Sequence, residues 1–322
     1  MKRWLLIAAH LACIAAAGPL VSADVRAQAG APSRPETKDH LRPERMEALV
    51  AGPMARVRAG DVAGGERAFE TLLEGAIRRH GAGSVEAADL LMSFGITVYT
   101  EGLRSSAGTE TDGALRARAL PYLRRSIDAY RSALGPNHPL VAVASHSLAD
   151  GMTDLAPDNP PAEAEAALEE AYRIRLAALG PANPETWAAM ASLAHIRSLP
   201  SRTGGNPARI AAVAAMYREG LAYARRALGQ FPEEQPRLWY ARLARMYVRN
   251  GQAAAALQII DEAEREGGTA ACLDMSMLVA DVARLLDEQG FATEAEALSR
   301  RYPIERTMDC LDRSDLPMVE GS

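Results

Sequence analysis

Apolar residues recur along most of the chain at steps of three and four, the spacing of one face of an α-helix. The clearest run holds Ala164, Leu168, Ala171, Ile174 and Leu179. It stops at Gly180-Pro181-Ala182-Asn183-Pro184. Two prolines there lack N–H groups and disfavour helical geometry in the residues before them. A new apolar face then follows through Trp187, Met190, Leu193 and Ala194. Residues 164–194 are therefore the second helix of one hairpin, a turn, and the first helix of the next. No run with the two-residue alternation of a strand competes with this reading.

The same layout repeats with drift. Residues 119–149 carry a matching helix, a turn at Gly135-Pro136-Asn137-His138-Pro139 and a following helix, with Gly135 and Gly180 separated by 45 residues. Gly229 falls 49 residues after Gly180, and Gly81 lines up in front. Two helical patterns over 45–80 join near Gly60–Gly65, and a helix is expected from Val85 to Glu101. Further helical runs cover 211–228, 237–268 and 275–302, while 104–113 and 198–207 are polar loops inside hairpins. Helix–turn–helix units at such a period stack into a solenoid.

The pair at 237–268 resembles a tetratricopeptide repeat, with Tyr240, Leu243, Ala244, Tyr247, Gly251, Ala256, Ile260 and Ala263 at consensus spacings. Gly268 stands where that family has its final proline. The run Ala133-Leu134-Gly135-Pro136-Asn137-His138-Pro139 resembles the turn between repeats of kinesin light chain, and Ala178 to Pro184 departs from it only at Asn183. The resemblance covers 46–303 and implies an all-α, right-handed superhelical solenoid of about five to six hairpins. It also implies a concave groove lined by the first helices, holding a peptide or protein. Anchoring on the small residues Gly95, Ala149, Ala194 and Ala244 puts Met92, Ile96 and Tyr99 on that groove, then His146, Asp150, Thr153 and Asp154. Ala191, His195 and Ser198 follow, and Ala241, Arg245, Val248 and Arg249 complete the set. The groove would run from apolar through acidic to basic.

The ends of the chain read differently. Lys2 and Arg3, an apolar run from Trp4 to Ala17, and Val21-Ser22-Ala23 form a secretion signal over 1–23, with a second possible cut after Ala29. This implies an exported protein, periplasmic or secreted, with no membrane span once the signal is removed. Residues 24–45, punctuated by Pro32, Pro35 and Pro43, read as a flexible tether, and 304–322 as a tail. Without the leader the chain has 34 basic residues against 41 acidic ones, a formal charge of −7. An acidic balance without a basic cluster argues against nucleic acid as a partner. Lys38 is the only lysine after the leader, which reads first as codon usage.

Cys13 leaves with the leader, so an even pair remains, Cys272 and Cys310, flanking the last hairpin. Antiparallel helices bring those ends together, and a disulfide there would be worth about 4 kcal/mol in the chain-entropy model. The alternative is two separate thiols. No metal, catalytic or cofactor motif has usable spacing: HExxH, CxxC, GxSxG and GxxxxGK[ST] are all missing. The five histidines after the leader are scattered, and His138 reads as a local hydrogen-bonding residue in its turn. Trp187 and Trp239 read as packing residues. These features point to a non-catalytic protein-interaction scaffold of the bacterial cell envelope without cofactor or metal. The alternative is an accessory subunit or divergent enzyme of an envelope assembly pathway.

Overall fold

A computed structural model describes residues 43–104, 110–227, 236–267 and 272–302. The leader, most of the tether, the turn at Gly229, Cys310 and the tail lie outside the described residues, as does the side chain of Cys272. Every element among the described residues is a helix. In chain order they are α1 (Pro43–Leu49), α2 (Ala51–Arg58), α3 (Val62–His80), α4 (Val85–Arg104) and α5 (Glu110–Leu134). Next come α6 (Pro139–Leu155), α7 (Ala162–Leu179), α8 (Pro184–Ser198), the short α9 (Pro200–Thr203) and α10 (Pro207–Ala227). The last four are α11 (Pro236–Arg249), α12 (Ala253–Gly267), α13 (Cys272–Glu288) and α14 (Ala292–Arg301). The chain divides within α8 into two compact units, 1–193 and 194–322.

Gly81, Gly135 and Gly180 end α3, α5 and α7 with φ of 91°, 87° and 80°. Each donates its N–H to the carbonyl four residues back, on Ile77, Arg131 and Leu176. A Cβ at any of the three would meet nothing, so glycine is required by backbone conformation and not by space. The next helix is then capped by a side chain. Ser84 Oγ accepts from the Ala87 N–H at 3.2 Å, His138 Nδ1 from Leu140 at 3.2 Å, and Asn183 Oδ1 from Glu185 at 2.9 Å. Pro139 and Pro184 open their helices where a missing N–H costs nothing. The local role expected for His138 is thus a helix cap.

In the first unit α3, α4 and α5 meet at an aromatic cluster. Phe69 and Phe94 stack at 4.1 Å, and Tyr122 stands edge-on to both. Gly95 lets α4 and α5 cross closely, since a Cβ there would press on Leu123 at 2.9 Å. In the second unit the wholly buried Trp239 of α11 lies against Gly220 of α10, and a Cβ on Gly220 would fall 2.1 Å from the indole. Ala149, Ala171, Ala194, Ala244 and Ala256 are all fully buried, as the small positions of the repeat require. Trp187 and Trp239 are core residues.

Boundaries depart from the sequence reading at several places, among them the expected loop at 198–207, which holds α9, and α10, which begins at Pro207 and not at 211. The joint between α2 and α3 is Ala59–Gly60–Asp61, with Asp61 accepting from the Gly64 N–H; Gly64 and Gly65 are inside α3, where a Cβ on Gly65 would strike Val57. Residues 110–113 belong to α5 and not to the polar loop, and Pro43 opens α1 instead of belonging to the tether.

Second helices are laced to one another by arginine–carboxylate pairs. Arg118 and Arg125 of α5 reach Glu66 and Glu70 of α3, while Arg124 and Arg131 reach Glu163 and Glu170 of α7. In the second unit Arg218 and Arg225 of α10 hold Glu262 and Glu266 of α12, and Arg301 of α14 holds Asp261 and Glu264. Seven-residue spacing puts paired arginines two turns apart on one face, and the planar fork suits two-oxygen contact in a way lysine does not. A cleft of about 430 Å³ between α5, α6 and α7 is lined by Ile127 and Leu148, and its Arg124, Arg131, Glu163 and Glu170 are committed to these pairs.

Candidate functional site on the first helices

The residues expected on the groove separate into buried and accessible ones. Met92 and Ala191 are 1% and 4% exposed and form part of the interior, which corrects their placement on a binding face. Residues 87–95 are buried throughout, because α4 is packed by α1, α2, α3 and α5, and the Ser126 hydroxyl of α5 donates to the Met92 sulfur. Val248 and Ser198 are buried as well. Ile96, Tyr99, Thr153, Asp150, His195, Ala241 and Arg249 are half-buried, and Asp154 and Arg245 are exposed.

In the first unit Tyr99 of α4 donates its hydroxyl to Asp154 of α6. Burial, reinforced by the Asp154 charge, pushes that phenol well above its ordinary range. About two turns earlier on α6, His146 is 5% exposed. Its Nδ1 lies 2.7 Å from the guanidinium of Arg175, which reaches across from α7, and its Nε2 lies 3.0 Å from Ser192 Oγ on α8. A guanidinium only donates, so Nδ1 is the lone-pair nitrogen and the ring proton sits on Nε2. Asp150 is 3.6 Å from the same Nε2. A nucleophile and its base need the orienting acid on the opposite ring nitrogen; here that nitrogen faces a cation, so Ser192 is not activated. Both ring nitrogens are engaged, which also removes His146 as a metal ligand.

Arg175 is buried, and burial pulls its guanidinium down while the Glu185 and Asp150 charges pull it back up. Besides His146 it donates to the Glu185 carbonyl at 3.2 Å, and its Nε makes no hydrogen bond though Glu185 Oε2 is 3.8 Å away. Sequence reasoning missed Arg175, Ser192 and Glu185. A signal existed: Arg175 continues the stripe Ala164, Leu168, Ala171 at the next four-residue step, a charge at a core position.

The second unit presents arginines. Arg242, Arg245 and Arg249 recur at three and four residues along α11. Arg245 pairs with Asp281 of α13, and Arg242 lies over the Trp239 ring at 4.8 Å. Beside them, on the part of α8 that belongs to this unit, His195 is pushed down to about 4, first by burial and then by Arg249, Arg242 and Arg245. Buried Tyr217 of α10 faces the same three charges and shares a hydrogen bond with Ser198. Asn250 closes the floor by donating to the carbonyls of Ser198 and Met246. Among the described residues no group of acids, histidines and cysteines could hold a metal.

Comparison with known proteins places this geometry. Residues 114–140, covering most of α5 and the turn into α6, match the tetratricopeptide repeat family model. The fold is thus a tetratricopeptide-like helical repeat. Among solved structures it is similar to a variant of the nearly identical TPR-like repeats described for a kinesin light chain of Podosopora anserina. The TM-score is 0.50 at 15% identity, covering 75% of this chain and 98% of that one. A second structure of those repeats aligns at TM-score 0.48 and 15% identity, over 70% and 99% of the two chains. No curated protein matches the sequence. The likeness bears on the fold: an all-helical tetratricopeptide-type solenoid, an architecture suited to a protein-interaction scaffold. No helix among the described residues is long and apolar enough to cross a membrane.

Proposed function

We propose that this tetratricopeptide-type protein is a non-catalytic scaffold of the bacterial cell envelope that holds a peptide or protein partner on the face of its first helices. The tetratricopeptide match at 114–140 is the observation that carries the reading. It is supported by the polar side chains on that face, Tyr99, Asp150 and Asp154 in one unit and His195, Arg245 and Arg249 in the other. Many outward arginines of the second helices, Arg118, Arg124, Arg125, Arg131, Arg218 and Arg225 among them, are held in ion pairs with neighbouring second helices. Export rests on the basic, apolar and small-residue order of 1–23.

Photo-crosslinking residues introduced at Asp150, at Arg245 and, on a second helix, at exposed Arg67 test this in intact cells. One partner should be captured from the first two positions and not from Arg67. Equal capture from all three, or none from any, overturns the reading. The mass of the recovered protein should place its first residue at Asp24 or Gly30; a chain retaining Met1 contradicts export.

A further inference from the structure

The chain has five asparagines, and the residue after each decides what its carboxamide can undergo. An asparagine side chain is lost when the backbone nitrogen of the next residue attacks its Cγ. Asn159, Asn183 and Asn206 are followed by proline, which has no N–H to give up, and Asn137 by the bulky His138. Asn250 is followed by Gly251, where no Cβ hinders the approach and the backbone turns freely. It is the one asparagine of the sequence with that neighbour, and it stands at the turn between α11 and α12. In the fold this site is closed. The Asn250 carboxamide donates to the Ser198 carbonyl at 2.9 Å and to the Met246 carbonyl at 2.8 Å, and its oxygen accepts from the hydroxyl of the wholly buried Thr203. The Gly251 N–H is donated to the Val248 carbonyl at 3.0 Å. Side chain and attacking nitrogen are each held by their own partners, at the end of α8, at the end of α9 and on α11.

We propose that Asn250 is a deamidation site gated by local opening of the second unit, and that its conversion irreversibly loosens the tie between α8, α9 and α11. When Ser198 and Thr203 pull away, the Gly251 nitrogen gives its proton to solvent and attacks Cγ of Asn250. The Cγ–N bond forms, the Cγ–Nδ2 bond breaks, and the amide nitrogen takes up a proton and leaves as ammonia. Water then opens either C–N bond of the resulting succinimide ring, leaving aspartate or isoaspartate; water is the only co-reactant. The product cannot remake the tie. A carboxylate has no donor for the Ser198 and Met246 carbonyls, so acceptor would face acceptor at a half-buried position. Isoaspartate also lengthens the main chain by one carbon at the turn. The proposal stands independently of what the first helices bind.

The test uses the full chain, incubated at neutral pH with and without unfolding concentrations of guanidinium chloride. Peptide mapping by mass spectrometry reads the gain of one dalton at Asn250. Conversion should be at least tenfold slower in the folded chain than in the unfolded one, since only the open population reacts. Thr203→Val removes the hydroxyl and keeps the shape; it should speed conversion of the folded chain at least threefold, leave the unfolded rate unaltered and retain the helical circular dichroism signal. Thr203→Ser, which keeps the hydroxyl, should restore the slow rate. Asn250→Asp reproduces one product directly, and it should raise amide hydrogen exchange over 198–203 at least tenfold while leaving exchange over 123–148 unchanged. Equal rates in folded and unfolded chains overturn the gating. A folded Thr203→Val variant that converts no faster than the parent overturns the tie as the gate. Asn250→Asp that exchanges like the parent overturns the loosening. The parent comparison and Asn250→Asp decide the matter should Thr203→Val fail to fold.

Discussion

Histidine has three different jobs in this chain, and only one was legible before folding. His138 sits in a Gly-Pro-x-x-Pro turn, so its local role followed from neighbours two residues away, and the structure makes it the cap of α6. His146 and His195 depend on residues brought from other helices, Arg175 in one case and three arginines of α11 in the other. For His195 the consequence is measurable. Folded, it titrates near 4, against 6.5 for an unperturbed ring. Between those values the unfolded chain binds the extra proton, so stability is lost as pH falls through the window from 6.5 to 4. The loss is up to about 3 kcal/mol. Urea denaturation across that range should show the slope, and His195→Gln should flatten it. An unchanged slope would mean that other groups govern the acid limb.

At the scale of helices, the glycines divide by mechanism. Gly135 is needed for its positive φ with open space around it, so Gly135→Ala should cost about 1 kcal/mol, the strain of a left-handed residue. Gly220 has ordinary helical geometry but lies against Trp239. Gly220→Ala must push the indole out of its slot and should cost about 3 kcal/mol, with a change in the near-ultraviolet tryptophan signal that Gly135→Ala does not produce. Equal costs and no spectral change would show that α10 shifts to accommodate the methyl group. The first kind of glycine was visible in sequence because Pro and a helix stop surround it. The second was not, because its partner is 19 residues away on another helix. Arginine pairing is similar. The abundance of arginine over lysine could be counted, but the pairing of Arg118 with Glu66 and Arg225 with Glu266 depends on which second helices lie side by side.

For the whole molecule, the repeat explains why one chain with so few motifs folds into so regular a set of hairpins. Each helix pair buries its apolar stripe against the next, and the ends have a neighbour on one side only. A staple at the last hairpin would offset that deficit. Under the proposed export and removal of Cys13 with the leader, the oxidised protein is expected to show no free thiol, with two appearing after reduction, from Cys272 and Cys310. Equal thiol counts before and after reduction would establish two separate cysteines.

Helix, turn and repeat were set by the sequence alone, because they depend on periodicity and on backbone preferences acting over a few residues. The small positions Gly95, Ala149, Ala194 and Ala244 were likewise readable from the period. Only the tertiary structure decided which side chains stay accessible. Met92 and Ala191 share the groove phase of their helices yet are buried, since burial depends on how many neighbours cover a helix and not on its phase. Arg175, placed on an apolar stripe, becomes the buried donor that holds His146, and Asp281 meets Arg245 from 36 residues away. A charge gains its meaning from the groups folded against it, and those lie beyond the reach of any local pattern.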